Sequence, residues 1–107
     1  MNNKYELILM GDGYQKLSTG ALYAKKGKKV LILENTEDDC LVGRSDELPD
    51  YAYAFHDAPE LISIIENNGG KIINTPHVNQ ICFDEQNTVS VVCANGSEYY
   101  SNILVRS

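Results

Sequence analysis

An α/β fold built on a parallel sheet follows from three features of this 107-residue chain. Tyr5 to Met10 is a short apolar run that stops at Gly11-Asp12-Gly13. Leu17, Ala21 and Ala24 then recur at helical spacing as far as Gly27, and a second apolar run, Val30 to Leu33, closes on Glu34. A buried parallel strand reads as such a run when a glycine turn carries it into a crossover helix. Residues 1–34 therefore predict a β-α-β unit, with Gly20 on the inward side of its helix and Gly27 as the C-terminal stop.

The turn between the first strand and the helix carries the chemistry. In a dinucleotide-binding β-α-β unit the first glycine permits the tight turn and the second lets the backbone approach a pyrophosphate. The third lets helix and strand pack closely, and an acid about 20 residues on reads a ribose hydroxyl. Gly11, Gly13 and Glu34 occupy the first, second and acidic places. The N–H groups of the helix start, from Tyr14 onward, are placed to hold phosphate. Lys16 stands in the third place, which implies a looser helix crossing or a new role, and Asp12 puts a negative charge where a phosphate would sit. These two departures act in opposite directions on an anion.

Residues 35–58 read as an acidic loop over the ligand-facing edge, with Glu37, Asp38, Asp39, Asp46 and Glu47 around Val42-Gly43-Arg44-Ser45. Arg44 is either a phosphate or carboxylate ligand or a surface cation balancing that loop. Tyr51, Tyr53, Phe55 and His56 follow, an aromatic group that either stacks on a ring system or covers the sheet. Residues 59–107 then supply a helix, a strand, a meander and a returning strand. Pro59 suits a first helical turn, Leu61, Ile62, Ile64 and Ile65 form the apolar face, and Gly69-Gly70 ends the helix. Lys71 to Asn74 is a short parallel strand.

Val78 to Asp84, Val89 to Ala94 and Glu98 onward are meander strands, with hairpin turns at Glu85-Gln86-Asn87-Thr88 and Asn95-Gly96. The chain is expected to leave the hairpin near Ser101-Asn102, with Ile103 to Val105 re-entering the main sheet. The crossover rule then orders that sheet as the Lys71, Val30, Tyr5 and Ile103 strands, with the meander as a separate small sheet. The fold class expected is α/β, a minimal Rossmann-like dinucleotide-binding domain, a parallel sheet with helices plus a small antiparallel β-meander.

Charge and length narrow the functions. A formal net charge of −6 argues against nucleic acid or an anionic membrane as partner, and no basic stripe is evident along the chain. No apolar run approaches the roughly 20 residues of a membrane span, and MNNKYEL lacks the apolar core of a secretory leader, so a cytoplasmic location is expected. Cys40, Cys82 and Cys93 make no CxxC pair, so no metal site is expected. Cys82 and Cys93 fall in strands that pair, which places them near each other as reduced thiols. His56 and His77 lack ligand partners at metal spacing, and no residue is assigned as catalytic.

With these motifs in place, YELILMGDGYQKLSTGALYAKKGKKVLILEN resembles the amino terminus of FAD-dependent oxidoreductases of the phytoene desaturase and amine oxidase group, which share a glutathione-reductase-like FAD fold. LISIIENNGGKIINTPHVNQICFDEQNTVSVVCANGSEYYSNILV looks like a later segment of the same family. There a large substrate domain separates the two segments, whereas about 25 residues join them here. The resemblance implies that Gly11 and Gly13 face the FAD pyrophosphate, Glu34 the adenosine ribose, and Val78 offers backbone contacts to adenine. Val42-Gly43-Arg44 aligns with the family's glycine-glycine-arginine segment, Val42 replacing one glycine. The family's closing strand and Gly-Asp motif have no counterpart before Ser107. Rab GDP-dissociation inhibitors resemble the first segment too, which implies that the fold persists in non-catalytic roles.

Three readings stand. The chain recognises an adenine dinucleotide, FAD or its ADP part, without being a complete oxidoreductase alone; or it is a cofactor-free structural or interaction module; or it binds NAD, which Glu34 equally permits. A sheet cut off at Ser107 leaves an edge exposed, so a homodimer or a partner subunit is expected.

Overall fold

The structure is a computed structural model that describes residues 4–11, 14–34, 37–38, 58–74, 77–86 and 88–106. In chain order the elements are β1 (Leu7–Gly11), α1 (Tyr14–Lys25), β2 (Val30–Glu34), β3 (Glu37–Asp38), α2 (Ala58–Asn67), β4 (Lys71–Asn74), β5 (His77–Phe83), β6 (Val89–Cys93), β7 (Glu98–Ser101) and β8 (Leu104–Arg106). The main sheet is parallel, in the order β4-β2-β1-β8, as the crossover rule requires. A second sheet, β3-β5-β6-β7, contains the meander.

Strands β1 and β2 are apolar up to their last residues, Gly11 and Glu34, because both of their faces are covered, as in parallel sheets generally. Leu7, Leu9, Val30 and Ile32 meet the helices through Leu17, Ala21, Ala24, Leu61 and Ile65. Ile8, Met10, Leu31 and Leu33 meet the meander through Val78, Val89, Val91, Cys93 and Tyr99. The sheet is thus the middle of three layers. The meander shows the complementary pattern, since Val89, Val91 and Cys93 of β6 are buried while Ser90 and Val92 between them are not.

Both helices stop by the same device. Gly27 and Gly69 take φ of 84° and 83°, and the N–H groups of Lys28 and Gly70 donate back to the carbonyls of Tyr23 and Ile65 at 3.1 and 2.9 Å. These are Schellman caps, with glycine at the left-handed position. Gly70 has a second constraint. A Cβ there would lie 2.5 Å from the Val30 carbonyl oxygen, 2.6 Å from Ile65 Cγ2 and 2.8 Å from the Ile65 carbonyl oxygen.

The hairpin turns fall where the sequence places them, with one refinement. Asp84 Oδ1 accepts from the N–H groups of Gln86 and Thr88 at 2.9 and 2.8 Å. Ala94-Asn95-Gly96 is a three-residue loop, closed by Gly96 N–H to the Cys93 carbonyl at 3.0 Å, with Gly96 at φ 89°. Gly96 therefore serves as the left-handed residue after the turn rather than within a two-residue turn. At the corner out of the meander, the Ser101 hydroxyl donates to the Ile103 carbonyl (3.0 Å) and accepts from the Ile103 N–H (3.1 Å). The Ile103 carbonyl also accepts from the Ile8 N–H at 2.9 Å, which starts the β8 pairing. Ile103 itself, just ahead of β8, is 41% exposed.

Two expectations are corrected. The acidic loop is not wholly irregular, because Glu37 and Asp38 pair in parallel with His77 and Val78. Nor do Cys82 and Cys93 meet. The turn sets Phe83 opposite Val89, so Cys82 faces Ser90 and Cys93 faces Val78, roughly 10 Å apart along the ladder. Cys82 is exposed and Cys93 buried, both with free thiols.

Candidate functional site at the carboxyl edge of the parallel sheet

The register of the main sheet assembles the candidate site. Gly11, the last residue of β1, is the direct neighbour of Glu34, the last residue of β2. Helix α1 begins at Tyr14, so its N-terminal N–H groups open onto this same edge. Gly11, a helix start and a half-exposed carboxylate thus meet where open parallel sheets bind ligands. Asn74, exposed at the end of β4, flanks Glu34 in the same row. Arg106 of β8 lies beside Met10, one residue below Gly11. Neither was singled out in the sequence, where strand-terminal polar residues give no signal until the register is known. Gly13 and Arg44 lie outside the described residues, as do Asp12, Cys40, His56 and the aromatic group at 51–55.

Lys16 stands in the third glycine place, in the first turn of α1. The close approach falls one turn later, at Gly20, where a Cβ would stand 2.8 Å from Ile32 Cδ1, 3.3 Å from Ile65 Cδ1 and 3.4 Å from Val30 Cγ1. Gly20, with the small neighbours Ala21 and Ala24, seats α1 on β2.

Val78 is fully buried. The His77 carbonyl accepts from the Ala94 N–H at 2.9 Å. The alternation of a pleated strand therefore turns the Val78 N–H and carbonyl toward the other edge, along which β3 runs. A small cleft of about 170 Å³ near this point is lined by Ile73, His77, Cys93, Ala94, Asn95 and Tyr99. Burial pushes the Cys93 thiol up, the opposite of what a nucleophile needs. Among the described residues no group of three or more His, Cys, Asp or Glu is arranged to hold a metal ion, and no helix is long and apolar enough to cross a membrane.

Tyr5 behaves like Cys93. Burial first, and Tyr99 second, raise its hydroxyl above the ordinary 10.0. A raised folded-state value means that stability is complete below the unfolded value and is lost as pH climbs through the folded one. The urea midpoint should therefore stay level up to about pH 8.5 and fall above pH 9 as Cys93 and then Tyr5 ionise. Tyr5→Phe should flatten the upper part of that fall. A wild-type midpoint constant to about pH 10.5 contradicts the assignment.

No family model and no curated protein sequence matches the chain. Solved structures do. The HOCl-induced flavoprotein disulfide reductase RclA from Escherichia coli is 25% identical, with 98% of this chain and 21% of that one aligned at a TM-score of 0.63. LpdA from Mycobacterium tuberculosis is 14% identical, over 98% of this chain and 20% of that one, at 0.58. The halogenase PltM is 14% identical, over 96% and 34%, at 0.65. The fold is that of FAD/NAD(P)-binding Rossmann-like domains, and its solved neighbours include flavoproteins of quite different chemistry. The chain spans about a fifth to a third of their lengths.

Proposed function

We propose that this chain recognises an adenine dinucleotide, FAD or its ADP part, at the carboxyl edge of its parallel sheet, and that it does not by itself complete an oxidoreductase. The observation that carries the proposal is the pairing of Gly11 with Glu34 ahead of the N-terminus of α1. It supports a reading in which the turn after Gly11 holds phosphate and the Glu34 carboxylate accepts a ribose hydroxyl. Its glycine turn and distal acid resemble those of the phytoene desaturase and amine oxidase group of flavin enzymes. When bound, a flavin supplies the redox chemistry itself. The chain's own part is to hold phosphate on the backbone N–H groups of Gly13 and Tyr14, to accept a ribose hydroxyl at Glu34, and to offer Arg44 as a further anion ligand. The Val78 backbone can meet a base only where the two-residue β3 gives way along that edge.

Calorimetry with FAD and ADP tests this. Glu34→Ala should weaken binding by about 1–3 kcal/mol, the scale of a hydrogen bond to a charged group. Asp12→Ala with Lys16→Gly should tighten it, by removing a repelling carboxylate and restoring the glycine. Tighter binding of NAD than of FAD reassigns the cofactor. The second reading, a cofactor-free interaction module, is favoured by β3 lying along the Val78 edge and by Lys16 in the turn. It replaces the first if neither FAD, ADP nor NAD binds at millimolar concentration and Glu34→Ala changes nothing.

A further inference from the structure

The opposite, amino-terminal edge of the parallel sheet carries a charge pattern that the linear sequence conceals. Lys25 and Lys26 end α1, and Lys28 and Lys29 lead into β2. Lys4 precedes β1, with the adjacent Glu6 N–H bonded to the Lys29 carbonyl at 2.7 Å. Lys71 begins β4 beside Leu31. Six of the nine lysines and arginines of the chain thus gather at one end of the sheet. The acids of the same segments, 4–6, 25–29 and 66–71, are Glu6 and Glu66. With Glu98 of the adjoining β7, six positive charges against three leave +3 at this edge, so the remaining residues sum to −9 in a chain of net −6. Glu98 of the adjoining β7 accepts a hydrogen bond from the Tyr100 hydroxyl.

Within this edge lies a cleft of about 380 Å³, lined by Lys4, Tyr5, Glu6, Lys29 and Asn102. That volume is in the range of small-molecule sites. The Lys29 ammonium stands 4.7 Å from the centroid of the Tyr5 ring, which fixes the position of one cation by the attraction of the ring face. Lys4 and Asn102 line the same opening. All the cations are lysines, compact point charges suited to phosphate oxygens rather than to the planar, bidentate pairing that arginine makes. Their spread along several strand ends suits an anion with several charges better than a single carboxylate.

We propose that the cleft between Lys4, Lys29 and Asn102, at the amino-terminal edge of the parallel sheet, is a second binding site that takes a small polyphosphate. It lies across the sheet from the dinucleotide edge and is independent of it. Glu6 opposes the ligand and sets its affinity, so the sign of its removal is informative. The flanking lysines raise the local anion concentration at low salt, an effect lost once the screening length falls below the size of the edge.

The test is a titration of the full chain with inorganic tripolyphosphate, followed by backbone amide NMR at low and at high salt. Amide shifts are expected at residues 4–6, 26–29 and 102, with binding that weakens as salt rises. Lys4→Gln and Lys29→Gln should each weaken binding about tenfold, the scale of one charge-assisted contact. Lys71→Gln, on the same edge but outside the cleft, should weaken it much less, and Glu6→Gln should tighten it. Lys4, Glu6 and Lys71 are exposed and Lys29 is half-buried, and unchanged circular dichroism confirms the fold of each variant. Shifts confined to residues 11–16 would assign the anion to the glycine turn and overturn the proposal. Equal losses for Lys71→Gln and Lys29→Gln would also overturn it, by showing a diffuse charge effect. So would binding to vesicles rich in anionic lipid with none to free tripolyphosphate.

Discussion

Gly70→Ala is expected to destabilise the fold by about 3 kcal/mol, at the upper end of the cost of overpacking. The added carbon would stand 2.5 Å from the Val30 carbonyl oxygen and 2.8 Å from that of Ile65, both backbone atoms, as well as 2.6 Å from Ile65 Cγ2. A side chain can rotate away, but these carbonyls cannot. Val30 begins the most buried strand of the sheet, and the Ile65 carbonyl is held in the cap that ends α2. Either α2 or β4 must lift, which would uncover the helix-side core. Gly20→Ala is the internal control. Its nearest contact, Ile32 Cδ1 at 2.8 Å, is a side-chain tip, and the gain of about 1 kcal/mol in helix propensity offsets much of the crowding. Urea unfolding should show a large drop in midpoint for Gly70→Ala, little change for Gly20→Ala, and the same slope for both. A loss under about 1 kcal/mol at Gly70 would mean that the junction relaxes freely.

Ile65→Ala should cost a similar amount, about 3–4 kcal/mol, by a different mechanism. Ile65 is fully buried and joins α2 to α1 and β2 in the helix-side core. Its side chain passes close to both Gly20 and Gly70. Truncation leaves a cavity that those two glycines cannot fill, since neither carries a side chain to collapse into it. Combining Ile65→Ala with Gly70→Ala should not rescue the latter, because the clashes with the two carbonyl oxygens persist. Near-complete rescue in the double variant would show that Ile65 Cγ2 alone set the constraint. Against a typical folding stability of about 5–15 kcal/mol, either single change is severe.

Where structure was legible in the sequence, local chemistry sufficed. The β1-α1-β2 unit, α2, β4 and both hairpin turns announce themselves by apolar runs that end on glycine, asparagine or aspartate. The return of the chain to the main sheet was readable at Ser101-Asn102, where the polar pair separates two apolar stretches. Gly11 and Glu34 were readable because a glycine turn after one strand and an acid about 20 residues on, closing the next, form one dinucleotide motif. Other features depend on partners distant in sequence. Glu37-Asp38 has no intrinsic strand preference and pairs only because β5 passes beside it. The tightness at Gly70 becomes visible only once Val30 is its neighbour. Gly20 was readable as an inward-facing helix position, but that it makes the close approach to Ile32 and Ile65 shows only in the packing. Lys4 and Lys71 join the lysines around Gly27 only through the sheet register.

The connection between β2 and α2 starts at Glu34 and finishes at Ala58, and both ends are held at the carboxyl edge of the same sheet. Closing a loop whose ends are fixed in this way has an entropic cost that grows only with the logarithm of its length, so a tenfold longer segment adds about 2 kcal/mol. The four parallel strands and two helices are therefore nearly indifferent to how much chain is spliced in at this point. A short acidic segment and an entire folded domain are close to interchangeable there, which makes the same scaffold thermodynamically available to proteins three to five times its size.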